Sequence, residues 1–205
     1  NKGLPSFVKD YQDIANPKLR DKVCMRSSSN IYNLSLMASL INALGHSEAE
    51  TWAKGVVDNF NRSPQGNDTS NIRAVAAGQC DITLANTYYV GRMLGSEDVA
   101  QRKMANQLGI LFPNQQSRGT HINISGAGIT KNAPNLENAV RFLEYLTSEF
   151  AQKLFAEGNN EYPIVGETTG AIAQLGTFKE DTISAALLGE NQARAVRLYD
   201  RAGWR

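Results

Sequence analysis

The sequence predicts an α/β fold with a mainly parallel sheet flanked by helices. The predicted elements run in the order strand, helix, helix, strand, with glycines where helices should end, which is typical of doubly wound α/β proteins. Residues 82–85 form a short apolar run of the kind found in buried parallel strands. With 41% hydrophobic residues, the 205-residue chain can build a core for one large domain or two small lobes.

The first 80 residues are predicted to contain a connector, one strand and three helices. The first helix follows a cluster of hydroxyl and amide side chains that suits helix capping, and Gly45 ends its apolar repeat. The second helix has acidic residues in its first turn, and the third ends at Gly78. In order, these elements occupy residues 1–21, 22–26, 31–44, 47–60 and 71–77.

The rest of the chain alternates helices with short apolar segments. Pro134 and Ser148 each open an amphipathic repeat, so two consecutive helices are predicted there, and Pro113 stops the strand before them. The predicted elements are a helix at 97–107, strands at 108–112 and 120–124, helices at 134–146 and 148–156, a loop at 158–176 and a helical tail from 181 onward.

Two adjacent tyrosines, Tyr88 and Tyr89, follow the apolar strand. Along a continuing strand they would point to opposite faces, so serving one site together requires the chain to leave extended geometry at residues 86–87. We therefore predict that the doublet lies on a loop at the carboxyl end of a parallel strand, where open α/β sheets bind ligands. The structural alternative is one core tyrosine and one surface tyrosine.

Composition and motifs argue against several functional classes. A net charge of +1 gives no electrostatic footprint for nucleic acid or an anionic membrane, and no apolar run approaches the ~20 residues of a membrane span. Residues 1–5 lack the apolar core of a signal peptide, so in an exported protein we expect the signal to have been removed. Neither His46 nor His121 belongs to a Ser or Cys nucleophile signature, and zinc and phosphate-loop motifs are absent. We predict that the protein is not an enzyme.

The two cysteines, Cys24 and Cys80, have no metal-ligand spacing. Each lies in or beside a predicted strand, so they are expected to be neighbours in one sheet. The sequence leaves open whether they are buried thiols or a disulfide.

A third phenol, Tyr32, follows another predicted strand, and the three rings would converge if the two strands are neighbours. A free phenol ionises near pH ~10, but a trivalent cation stabilises phenolate strongly enough to bind it at neutral pH. Three phenolates would also balance the three charges of Fe³⁺ in a partly buried site. These residues therefore favour a ferric-iron site.

Five segments together resemble the ferric-iron-binding periplasmic proteins of ABC transporters, in particular the cyanobacterial-type, tyrosine-rich branch of that family. The resemblance covers nearly the whole chain. It rests on residues 26–33, 64–68, 76–78, 84–89 and 118–121.

The resemblance implies a fold like that of type II periplasmic binding proteins and a specific set of ligands. Tyr88 and Tyr89 match the paired iron ligands of the family, and Tyr32 matches the third tyrosine of its tyrosine-rich members. A synergistic anion such as carbonate or phosphate would be held by Ser27, Ser28, Ser29, Asn30 and Asn67. Helix capping and turn formation are the alternative roles of those five residues.

The resemblance also implies function and location. The chain would capture ferric iron in the periplasm and deliver it to an ABC transporter permease in the inner membrane; the alternative is a protein of the same fold that binds a small oxyanion. Residues 1–118 and 170–205 would form the second lobe, while residues 119–169 would cross into the first lobe. Most of that first lobe, with its further histidine or tyrosine ligand, has no counterpart in this sequence.

Overall fold

A computed structural model describes residues 5–205. Residues 1–4, which include the start of the predicted connector and of the predicted second lobe, lie outside the described residues, as does most of the stretch considered for a signal peptide. The described chain contains eight α-helices and three short 3₁₀ helices, at Tyr11–Ala15, Pro17–Leu19 and Ala171–Leu175. The α-helices are α1 Ile31–Leu44, α2 His46–Asp58, α3 Asp68–Ala76, α4 Thr87–Leu94, α5 Val99–Ala105, α6 Leu136–Leu146, α7 Glu149–Asn159 and α8 Ala185–Ala202. No helix among the described residues is both long enough and apolar enough to cross a membrane.

The chain divides into two compact units. The first unit comprises Asn1–Asn86, Met104–Asn123 and Phe178–Arg205, and therefore contains α1, α2, α3 and α8. The second unit comprises Thr87–Lys103 and Ile124–Thr177, and contains α4, α6 and α7.

The core of the first unit is built around Trp204, which is 1% exposed. Its ring lies 5.0 Å from that of Phe60, 4.8 Å from Tyr199 and 6.1 Å from Trp52, measured between centroids. The Tyr199 hydroxyl also donates to the backbone oxygen of Asn33 at 2.9 Å. Burial of these rings and the hydrogen bond fix α8 against the start of α1, which carries one candidate site residue.

The predicted parallel sheet is present only as isolated parallel bridges within residues 5–205. Val23 pairs with Phe60 on one side and with Ile82 on the other, so it is the central residue of the pairing. Cys24 N–H donates to the Ile82 oxygen at 3.0 Å, and Asn61 N–H donates to the Val23 oxygen at 2.9 Å. The predicted parallel direction is therefore right, but full strands at 22–26 and 82–85 are wrong, because the paired segments leave the ladder after one or two residues.

Two later strand predictions also need correction. Residues 108–112 form no bridge, and Phe112 instead stacks on Phe178 with ring centroids 4.3 Å apart. Within 120–124 only Thr120 is bridged, to Glu180. The predicted helices, by contrast, are all found, with ends shifted by at most four residues.

In the second unit, α6 has no buried residue, although one of its faces is apolar. Large apolar side chains are exposed on α6, on α7 and on the loop after α7. They are Leu136, Val140, Phe142 and Tyr145 on α6, Phe150 and Leu154 on α7, and Ile164 and Val165 on the loop.

Candidate metal centre

Tyr88 and Tyr89 lie in the first turn of α4, not on a loop as predicted. The chain does leave extended geometry where the sequence required it, because the helix begins at Thr87. Successive helical residues diverge by about 100° where strand residues diverge by about 180°, so neighbouring side chains of a helix can serve one site. The two half-buried rings lie against each other, with centroids 4.2 Å apart and planes tilted by 32°.

Arg92 lies one turn further along α4 and covers the Tyr88 ring, with its guanidinium carbon 5.0 Å from the ring centroid. Residues four apart on a helix are neighbours, so this contact follows directly from the helical conformation. A cation over an aromatic face is attracted to it and limits the motion of the ring. The sequence prediction missed Arg92 because it placed the doublet outside a helix.

The position of α4 depends on two small residues. A Cβ added at Gly91 would lie 2.8 Å from the Asn160 Cβ, and one added at Gly95 would lie 3.1 Å from the Ala171 Cβ. Asn160 ends α7 in the left-handed conformation, with φ 60°. The absence of side chains at Gly91 and Gly95 therefore lets α4 pack closely against the end of α7 and the 3₁₀ helix that includes Ala171.

Tyr32 lies in the first unit, at the second residue of α1. Its backbone N–H donates to the side-chain oxygen of Asn30, the N-cap, at 3.0 Å. Its ring faces Arg26, whose guanidinium carbon lies 5.7 Å from the ring centroid. Tyr32 and the doublet belong to different units, so the convergence of all three phenols stays a prediction.

The predicted anion-binding residues lie at two helix N-termini of the first unit. Asn67 caps α3, where its side-chain oxygen accepts from Ser70 N–H at 2.9 Å. Ser27 and Ser29, which precede α1, contact each other through their hydroxyls at 3.0 Å. Asn30 and Asn67 therefore have the capping role given as the alternative, although free N–H groups at a helix start also attract anions. An anion-binding role of Ser27, Ser28, Ser29, Asn30 and Asn67 stays a prediction.

Cys24 and Cys80 form a disulfide, with Cα atoms 5.9 Å apart. Both residues are buried, at 0% and 3% exposure, beside Ala74 of α3. This settles the alternative between thiols and a disulfide that the sequence left open. The bond ties the segment before Tyr32 to the segment before Ile82.

A buried polar cluster of the first unit surrounds His121. The Arg118 guanidinium pairs with the Asp181 carboxylate at 2.6 Å, and the Ser35 hydroxyl contacts His121 Nε2 at 2.8 Å. Burial lowers the pKa of His121 to about 4, with a further lowering by the Arg118 charge and an opposing effect of Asp181. Burial likewise raises the pKa of Tyr11 to about 12. At neutral pH His121 is therefore uncharged and Tyr11 is protonated. Both side chains are buried in these neutral states, which is consistent with a structural role for the cluster.

Among residues 5–205, no group of three or more His, Cys, Asp or Glu side chains is arranged to hold a metal ion. That finding does not concern phenols, which are a separate class of oxygen donor.

Residues 2–175 match the family described as bacterial extracellular solute-binding protein, and the chain belongs to that family. Two solved structures have a fold similar to that of this chain. A Trichodesmium protein solved in complex with iron and citrate superposes with a TM-score of 0.94 at 51% identity, over 98% of this chain and 65% of that one. A ferric binding protein from Campylobacter jejuni superposes with a TM-score of 0.91 at 39% identity, over 100% of this chain and 66% of that one.

The sequence relatives carry related names. Iron uptake protein A1 of Synechocystis is 50% identical over 209 residues, which include 100% of this chain and 58% of the relative. Iron uptake protein A2 of the same organism is 46% identical, over 98% of this chain and 59% of the relative. The chain therefore spans a little under three fifths of the length of these two relatives.

Proposed function

We propose that this chain captures ferric iron as a solute-binding protein of an ABC transporter and is not an enzyme. The observation that carries the proposal is the pair of adjacent phenols, Tyr88 and Tyr89, whose ring centroids lie 4.2 Å apart in the first turn of α4. Tyr32, on α1, is the proposed third ligand. The proposed iron capture is supported by membership of a solute-binding family and by relatives named for iron uptake or ferric binding.

Phenolate chemistry explains why tyrosines suit this cargo. Fe³⁺ is a small, highly charged ion that favours anionic oxygen, and its charge stabilises the deprotonated phenol. Tyr88 and Tyr89 are half-buried, so neither is enclosed in the core. Neutral Tyr11, in contrast, is enclosed in the core.

A synergistic anion is proposed at the helix N-termini of the first unit. Carbonate or phosphate would fill iron positions that the tyrosines leave vacant. Ser27, Ser28, Ser29 and Asn30 precede α1, and Asn67 precedes α3, so the proposed anion would lie at helix N-termini, which attract negative charge.

The family supports a proposal for location and partner. We propose a periplasmic protein that delivers its iron to a permease in the inner membrane. We also propose that residues 1–118 and 170–205 form a second lobe and that residues 119–169 cross into a first lobe. These boundaries are not those of the two compact units, which change at residues 86, 103, 123 and 177.

Small-oxyanion binding, the alternative from sequence, is not favoured. Relatives at 50% and 46% identity are named for iron uptake, and neighbours with TM-scores above 0.9 are named for iron or ferric binding.

The test is a titration of the purified chain with ferric citrate, followed in the visible spectrum. Iron bound through phenolate should give a charge-transfer band that saturates with added iron. Parallel titrations with sulfate and phosphate, followed by calorimetry, serve as the comparison. Tight anion binding without a visible band on adding iron would contradict the proposal.

A further inference from the structure

Arg26 contacts both a proposed iron ligand and the helix that follows a proposed anion residue. Its guanidinium pairs with the carboxylate of Asp68, the first residue of α3. The same guanidinium lies over the Tyr32 ring, 5.7 Å from the centroid. One side chain therefore connects the starts of α1 and α3.

Burial makes the position of Arg26 well defined. Its side chain is 17% exposed, and the Asp68 side chain is 3% exposed. A carboxylate buried to that extent requires a charged partner, because an unpaired buried charge is strongly unfavourable. Asp68 therefore holds the guanidinium in place.

The backbone of Arg26 is fixed as well. Its carbonyl oxygen accepts from the Asn33 side chain at 3.1 Å and from the Trp204 indole N–H at 3.0 Å. Asn33 belongs to α1, one residue beyond Tyr32, and Trp204 is the centre of the core. Arg26 is thus anchored at its backbone by the core and at its head group by Asp68.

A planar guanidinium held over an aromatic ring restricts the rotation of that ring, and the attraction grows when the phenol becomes an anion. Tyr32 is half-buried, so its ring is not enclosed in the core. A neighbouring cation, Lys22, pairs with Asp81 at 3.4 Å, and both side chains are over 40% exposed. Lys22 offers a matched comparison from the same segment.

We infer that Arg26 is a positioning residue: it holds the Tyr32 ring in the orientation in which its oxygen binds iron. This inference rests on the proposed function. The ion pair with Asp68 holds the guanidinium of Arg26 in place. The contact between this guanidinium and the Tyr32 ring then limits the motion of the ring.

The experiment is a double-mutant cycle read by ferric citrate titration and by the visible band of the bound iron. Asp68 is kept in every protein, because its carboxylate holds the guanidinium in place, and any loss of stability on removing Arg26 is then common to both arms of the cycle. Arg26→Gln is then added with Tyr32 intact and with Tyr32→Phe. With Tyr32 intact, loss of Arg26 should weaken iron binding about fivefold and shift the band, as expected for a contact of cation–π strength. With Tyr32→Phe, loss of Arg26 should change neither affinity nor band.

Two further variants complete the design. Arg26→Lys keeps the ion pair but not the planar contact, so its affinity should lie between wild type and the Gln variant. Lys22→Gln should match wild type.

Equal weakening with and without the Tyr32 hydroxyl would show that Arg26 acts only through general stability, and would overturn the inference. If Tyr32→Phe matches wild type, Tyr32 is not a ligand and the inference also fails. If wild type itself gives no band, the proposed function fails, which is a distinguishable result.

Discussion

Burial separates the phenols of this protein into structural and candidate binding residues. Tyr11 is 5% exposed and has its pKa raised to about 12, whereas Tyr88 and Tyr89 are half-buried and lie on the first turn of a helix. Removing a hydroxyl from Tyr88 or Tyr89 should therefore abolish binding of ferric iron, because the remaining oxygens no longer balance its charge.

The matched control for those substitutions is Tyr11→Phe, which removes a hydroxyl that the metal does not use. It should bind iron as wild type does. Ferric citrate titration of wild type and the three single variants checks this prediction, and equal binding by all four proteins would rule out the tyrosine site.

His121 makes stability depend on pH. Its pKa is about 4 in the folded protein and 6.5 ordinarily, so the unfolded chain binds more protons between these values. His121 therefore lowers the free energy of unfolding as the pH falls from 6.5 toward 4, by about 3 kcal/mol at most. Above pH 6.5 this loss of stability is absent. Urea denaturation at several pH values measures this effect.

The charged neighbours of His121 are Arg118 and Asp181, which pair with each other at 2.6 Å. His121→Gln can keep a hydrogen bond to Ser35 but cannot take up a proton. The stability difference between wild type and His121→Gln should therefore shrink as pH is lowered. Parallel profiles for the two proteins would exclude His121 as the cause.

At the scale of single elements, α4 shows why a helix around the doublet was missed. Gly91 lies in its interior, where glycine disfavours a helix, and the residues before the doublet resemble a strand. In the folded protein Gly91 lies against Asn160. This contact joins distant parts of the chain, so it could not be predicted from local sequence. Helices with a regular apolar repeat, such as α1 and α2, were predictable because their pattern is local.

The sheet was less predictable than the helices. Pairing requires a partner segment of similar length, and sequence alone does not fix how far two segments stay paired. Val23 has a partner on each side, but both partners turn away at once. For the same reason, the contacts of Arg26 and Arg92 with tyrosine rings could not be read from sequence, whereas the tyrosines themselves were conspicuous.

Gly91→Ala tests the packing of α4. The new Cβ would lie 2.8 Å from the Asn160 Cβ, closer than such atoms approach, and Asn160 is constrained by its left-handed backbone. We expect a loss of about 1–3 kcal/mol in the free energy of unfolding, as for overpacking elsewhere. Urea denaturation measures it, and weaker iron binding should accompany it because the doublet lies on the same helix.

Gly189→Ala is the control for that substitution. Gly189 lies in α8, and a Cβ there would meet no atom within 4 Å. Alanine should therefore stabilise the helix by about 0.5–1 kcal/mol. If Gly91→Ala stabilised the protein to the same extent, the close contact of α4 would not constrain the site.

For the whole molecule, the number of iron ligands sets the expected affinity. The chain spans 58% of iron uptake protein A1 of Synechocystis, and the ligands proposed within that span are Tyr32, Tyr88 and Tyr89. Any further ligand from the rest of that relative would strengthen its iron binding. Water or a buffer anion would complete the coordination of iron. Each lost ~1.4 kcal/mol of binding free energy raises the dissociation constant tenfold.

We therefore expect this chain to bind ferric iron measurably but at least about 100-fold more weakly than full-length iron uptake protein A1, which corresponds to about 3 kcal/mol. Competition of the two proteins against increasing citrate, with bound iron read from the visible band, gives the ratio directly. Carbonate or phosphate should reduce the difference in iron affinity between the two proteins, because either anion can fill positions on the metal that the tyrosines leave open. Equal affinities would mean that the three tyrosines, with solvent, are sufficient for the site.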